Sequence, residues 1–127
     1  MKYTLDRQEK YNIVKIDEEK LDSTVSPQLK SEFVTIQGQG ISNMIIDLSS
    51  VKYIDSSGLS ALLVGNRLFT ENDGICILAA VSEHAMKLIT ISQLDKVLQI
   101  VPTVEEAVDA VLFLEIESQL RGESDEE

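Results

Sequence analysis

Cysteine, histidine and basic side chains are all scarce in this sequence, and each shortage removes a class of function. The chain of 127 residues has one cysteine, Cys76, and one histidine, His84. A lone cysteine cannot form an internal disulfide, and Cys76 lies inside the apolar run Ile75-Cys76-Ile77-Leu78, where it reads as a small buried hydrophobe. That agrees with a reducing, cytoplasmic compartment. One His and one Cys in separate elements supply no ligand cluster, so no metal is expected. A hydrolase would need a set such as Ser56, His84 and Asp95, yet His84 falls in the first turn of a different helix and no Gly-x-Ser-x-Gly elbow occurs. No catalytic residue is therefore expected. A phosphate-binding loop with its lysine is also missing, so no cofactor is expected and any ATP must arrive with a partner. The early acidic pair and late strand lysine of a receiver domain are absent too.

Basic residues number 11 against 22 acids, a formal charge of −11. The last 13 residues hold six acids and Arg121, a net of −5, and residues 1–114 still carry −6. Such a field repels nucleic acid and anionic lipid, and no basic stripe overturns it. It favours a basic or apolar partner surface. No apolar run approaches the ~18 residues of a membrane span, and no basic leader precedes a hydrophobic segment, so neither membrane insertion nor secretion is expected.

What is present is a periodic apolar pattern. With 43 % hydrophobic residues the chain reads as globular. Tyr3 and Leu5, then Tyr11, Ile13, Val14 and Ile16, predict a hairpin turning at Arg7-Gln8-Glu9-Lys10. A charged loop, Asp17 to Lys20, follows. Ser26-Pro27 predicts a helix start, with Ser26 as cap and Leu29, Phe33 and Ile36 as buried stripe. Gly38 and Gly40 end it. Residues 43–48 are apolar on both faces, as in a central strand covered by helices. A second helix is expected from about Leu59 to Phe69, with Leu59, Leu62, Leu63 and Phe69 inward and Ser60, Val64 and Arg67 outward. Ile75–Ala80 and Val97–Val101 read as strands, with a short helix between them capped by Ser82. Thr103-Val104-Glu105-Glu106 opens the last helix as a capping box. Its stripe is Val104, Ala107, Val108, Val111 and Leu112. Phe113, Leu114, Ile116 and Leu120 then extend it beyond what one buried face requires, either to meet a partner or second copy or to wrap the core. Gly122 to Glu127 should be a solvated acidic tail. The alternation of strand and helix predicts an α/β fold with mostly parallel strands after the hairpin.

Asp55-Ser56-Ser57-Gly58 stands where the central strand's connection meets the second helix. Asp55 is a natural N-cap. A serine hydroxyl in a first helical turn faces solvent, and the amides and dipole there favour an anion, so phosphate on Ser56 would be locally stabilised. Gly58 would let a partner approach Ser56 closely. The plainer alternative is a cap with no switch. Ser57 competes as acceptor but is expected to turn back toward the loop. Ser60 would leave room for a partner, and Val64 beside Arg67 would make a modest docking patch.

These residues together resemble a STAS domain, the family of anti-sigma factor antagonists (anti-anti-sigma factors). The resemblance covers roughly residues 3–112. It rests on Leu21-Asp22-Ser23-Thr24-Val25-Ser26-Pro27-Gln28-Leu29, on Ile46-Asp47-Leu48 followed by Ile54-Asp55-Ser56-Ser57-Gly58-Leu59, and on Val81-Ser82-Glu83, Leu94-Asp95-Lys96-Val97 and Thr103-Val104-Glu105-Glu106-Ala107. It implies a STAS-like mixed sheet of four to five strands flanked by about four helices. Residues 1–114 would form the single domain, with 115–127 as the end of the last helix and a disordered acidic tail. It also implies that Ser56 accepts phosphate from a partner that is both anti-sigma factor and serine kinase. Phosphorylation would block binding, and a serine phosphatase would restore it. Asp22 matches a family acidic position near that serine, though it could equally cap its own helix. With Asp55, Ser57, Gly58, Ser60, Val64 and Arg67 it makes the expected partner surface of a monomer or weak homodimer. The charged Asp17–Lys20 loop departs from the glycine often found there. The alternative is a structural STAS subunit of a transport or signalling complex, in which the serine is not modified.

Overall fold

The computed structural model describes residues 1–125 of the chain. The predicted hairpin is present, as β1 (Tyr3–Arg7) and β2 (Asn12–Ile16). Two further short strands precede and follow the first large connection, β3 (Lys20–Leu21) and β5 (Tyr53–Ile54), flanking α1 (Ser26–Gly38) and β4 (Met44–Asp47). The rest of the chain forms α2 (Ser56–Thr70), β6 (Cys76–Ala79), α3 (Glu83–Ile91), β7 (Gln99–Val101) and α4 (Val104–Asp125). The main sheet runs β1-β2-β4-β6-β7, antiparallel in its first pair and parallel thereafter. This is the expected mixed α/β fold, with a five-stranded main sheet, a separate two-stranded ladder of β3 and β5, and four α-helices among the described residues.

Period-two alternation divides each central strand between two cores. Met44 and Ile46 of β4, with Leu78 of β6, pack beneath α1, α2 and α3 together with Leu29, Phe33, Leu62, Phe69 and Ile89. Ile45, Ile77 and Ala79 point the other way, onto Ala107 and Val111 of α4. Three helices therefore cover one face of the sheet and one helix covers the other. Phe33 and Phe69 meet edge to face, with ring centroids 6.2 Å apart, a geometry that adds about 0.5–1.5 kcal/mol to their burial. The ring of Phe33 lies where a side chain at Gly65 would have to go, 2.7 Å from an added Cβ, which is why α1 and α2 approach so closely.

One buried amide ties distant segments together. Asn43 is 5 % exposed. Its side-chain nitrogen donates to the Lys10 carbonyl and to the Glu115 carboxylate, and its oxygen accepts from the Ile75 amide. The hairpin turn, the entry to β6 and the middle of α4 thus share one residue.

Several local expectations are corrected. Ser26 is not the cap of α1; that position is Val25, and the Ser26 hydroxyl donates instead to the Asp22 carbonyl at 2.6 Å. The strand expected from Val97 begins only at Gln99, because Leu94–Lys96 closes a 3-10 turn and leaves Val97 58 % exposed. The α4 helix continues through Asp125, where the pattern had suggested a tail from Gly122, and Glu126 and Glu127 lie outside the described residues. The charged stretch from Asp17 is not all loop, since Lys20 and Leu21 pair in parallel with Tyr53 and Ile54.

Candidate functional site

A parallel crossover sets α2 antiparallel to β4 and β6, so its N-terminus lies at the carboxyl edge of the sheet. The two-rung ladder of β3 and β5 fixes it there. The Lys52 and Tyr53 amides donate to the Glu19 carbonyl, and the Asp55 amide donates to the Leu21 carbonyl at 3.3 Å. Leu21 and Ile54 are buried beneath the ladder.

Asp55 caps α2 as expected. Its Oδ1 accepts from the Gly58 amide at 2.9 Å and from the Ser57 hydroxyl at 2.6 Å. Those two bonds, the hydroxyl first, hold its carboxyl below the usual carboxylate range, because both favour the ionised form. Ser57 is therefore turned inward. Its oxygen lies 3.3 Å from that of the buried Ser26, where the starts of α1 and α2 meet. Ser56, the first residue of α2, is exposed.

Gly58 serves a different purpose from the one expected. It is buried, and an added Cβ would stand 2.1 Å from the Leu21 carbonyl oxygen. The missing side chain makes room for β3 of the same chain, not for a visiting group. Further along α2, Ser60 and Arg67 are exposed on the side of Ser56, at helical spacing from it. Val64 is half-buried between them, so it presents only part of the surface expected of it.

Asp22 does not cap α1, whose N-cap Val25 has no side-chain cap bond, but closes a turn within its own loop. Its Oδ1 accepts from the Thr24 amide and hydroxyl, at 3.0 and 2.5 Å, and its carbonyl accepts from the Val25 and Ser26 amides. The residue adjoins Leu21, so it still stands at the rim of the corner where α1 and α2 begin.

Sequence reasoning missed the groove beside Ser56. About 450 Å³ of open space is bounded by Tyr53 and Ser56 on one side and His84, Lys87, Leu88 and Ile91 of α3 on the other. The His84 ring stacks on Tyr53 with centroids 5.2 Å apart. Ile91 is 79 % exposed at the groove's end. His84 is exposed, as expected, but it belongs to the same hollow as Ser56. No periodicity signals this, because β5 and α3 lie some thirty residues apart; the structural link is the Ser82 hydroxyl, 3.4 Å from the Lys52 carbonyl. Cys76 is buried, and desolvation pushes its thiol up to about 12. Among the described residues, no group of acidic, His and Cys side chains could hold a metal, and no helix is long and apolar enough to cross a membrane.

The fold has clear counterparts among solved structures. An anti-sigma factor antagonist from Mycobacterium paratuberculosis superposes with a TM-score of 0.78 at 21 % identity, covering 87 % of this chain and 92 % of that one. The Bacillus cell fate determinant SpoIIAA, in its phosphorylated form, gives 0.66 at 24 % identity, covering 87 % and 99 %. A sulfate transporter family protein from Wolinella succinogenes gives 0.70 at 19 % identity, covering 80 % and 84 %. At these identities the likeness is one of fold. The STAS domain family model matches residues 3–107 directly. By that match, spanning most of its length, the chain belongs to the STAS domain family.

Proposed function

We propose that this STAS domain is an anti-sigma factor antagonist switched by phosphorylation of Ser56. In the cytoplasm, its unphosphorylated form binds an anti-sigma factor with serine kinase activity and so frees a sigma factor. The kinase brings the ATP, transfers phosphate to Ser56 and is released; a serine phosphatase resets the switch. The chain itself catalyses nothing.

The observation that carries this reading is the contrast between two neighbouring hydroxyls. Ser57 is tied to Asp55, while Ser56 is exposed at the first position of α2. The partner surface runs from Asp22 and Asp55 through Ser56 and Ser60 to Val64 and Arg67. Ser57 and Gly58 support it from beneath. A phosphate adds about −1.5 to −2 charges at neutral pH. Against a partner carboxylate ~4 Å away at an effective dielectric of ~20, each unit costs about 4 kcal/mol. Half of that weakens binding roughly thirtyfold. The Bacillus relative solved in a phosphorylated form is consistent with such a switch on this fold.

The test is intact mass after incubation with a candidate kinase and ATP. One added phosphate is expected, lost in Ser56→Ala and kept in Ser57→Ala. Phosphate retained in Ser56→Ala would overturn the assignment. The transporter-family likeness favours a second reading, a structural STAS subunit. No phosphate transfer from any cognate kinase would put that reading ahead.

A further inference from the structure

The α4 helix has two halves with different surroundings. Up to Val111 it is packed on the sheet through Ala107 and Val111. Beyond Val111, none of the residues whose exposure is described is fully buried, yet the helix continues to Asp125, about 20 Å further. This second half carries Phe113, Ile116 and Leu120, which are 66 %, 59 % and 59 % exposed. Their spacing of three and four puts them on one stripe, and at 100° per residue that stripe lies opposite Ala107 and Val111. The sheet cannot reach it.

Charge identifies what can. Glu105, Glu106 and Asp109 are exposed on the same outer side, one to two turns before Phe113. Glu117 flanks the stripe, and the helix's single base, Arg121, is paired with it. From Val104 to Asp125 there are seven acids and one base, a net of −6. Two copies of this helix would bring −6 against −6, and nucleic acid or an anionic membrane would meet the same repulsion. An apolar stripe framed by carboxylates is complemented by an apolar stripe framed by Lys and Arg.

We propose that the outer face of α4 from Phe113 to Leu120 docks a basic amphipathic helix of a partner protein, by helix-on-helix packing with acidic flanks. The site lies away from Ser56. Because α4 runs antiparallel to the strands, its far end sits at their amino edge, beside Asn43, and on the opposite face of the sheet. A partner there and a partner at Ser56 can be bound together. The proposal stands whether or not Ser56 is phosphorylated.

The full chain is titrated by calorimetry with a synthetic helical peptide of about 18 residues, five turns, with leucines along one face and lysines beside them. A control peptide carries Glu for each Lys. The basic peptide is expected to bind, more weakly as salt is raised, and the acidic one is not. Phe113→Ser with Ile116→Ser should lower the affinity about tenfold or more, with unchanged circular dichroism. Ser56→Asp should leave it unchanged. Failure of the basic peptide to bind, equal binding of both peptides, or full binding by the double variant each overturns the proposal. So does a dimer in sedimentation equilibrium that the double variant abolishes, since the stripe then belongs to a second copy.

Discussion

Two adjacent serines of identical chemistry have opposite surroundings, and one carboxylate makes the difference. Asp55 draws the Ser57 hydroxyl inward and leaves Ser56 at the surface. The motif and its cap were legible in the sequence, because an Asp before a helical apolar stripe has few other uses. The orientation followed from the same logic. What the sequence did not reveal was the reason for Gly58, since the carbonyl that crowds it comes from Leu21, 37 positions earlier. The cap also has a pH signature. Asp55 is held below the ordinary aspartate value of 3.8, so the unfolded state binds its proton more tightly than the native state. The stabilisation it provides is complete above that value and is lost as the pH falls through the native one. In Ser57→Ala the largest of the causes that lower it is gone, and the Asp55 carboxyl should titrate closer to 3.8 in an NMR titration. An unchanged titration would mean that the hydroxyl contributes nothing to the cap.

Elements with a full period declare their existence and type in the sequence, though not their ends, and elements without one do not. The stripe Leu29, Phe33, Ile36 and the continuous run Met44-Ile45-Ile46 carry enough turns or rungs to declare themselves. The strands β3 and β5 have two residues each, too short for any alternation. Their pairing exists only because tertiary packing brings Glu19–Asp22 alongside Lys52–Asp55. The groove beneath α3 was hidden for the same reason. Substitution at Gly58 tests how firmly this ladder is seated. An alanine there places Cβ against the Leu21 carbonyl, so either β3 or the first turn of α2 must shift. Gly58→Ala should cost about 1–3 kcal/mol in urea unfolding, as overpacking in a close contact does. Unaltered stability would show that the ladder yields freely.

For the molecule as a whole, the layered order of strands determines which parts open together. β6 is held between β4 and β7, and its Cys76 thiol, pushed up to about 12 by burial, is both shielded and protonated at neutral pH. A thiol reagent should therefore label Cys76 only through unfolding of the domain. Its rate should rise with denaturant with the same sensitivity as global unfolding. Fast labelling in native buffer would reveal that β6 and β7 open separately from the rest of the sheet.

The small ladder shares no strand with the main sheet. Mutations that re-aim the opening turn of α2 can accumulate at the exposed Glu19, Lys20, Lys52 and Tyr53 without disturbing the strands that hold the domain together, whereas Leu21 and Ile54 belong to the main core. A lineage built on this architecture can change whom it answers to while inheriting its interior intact.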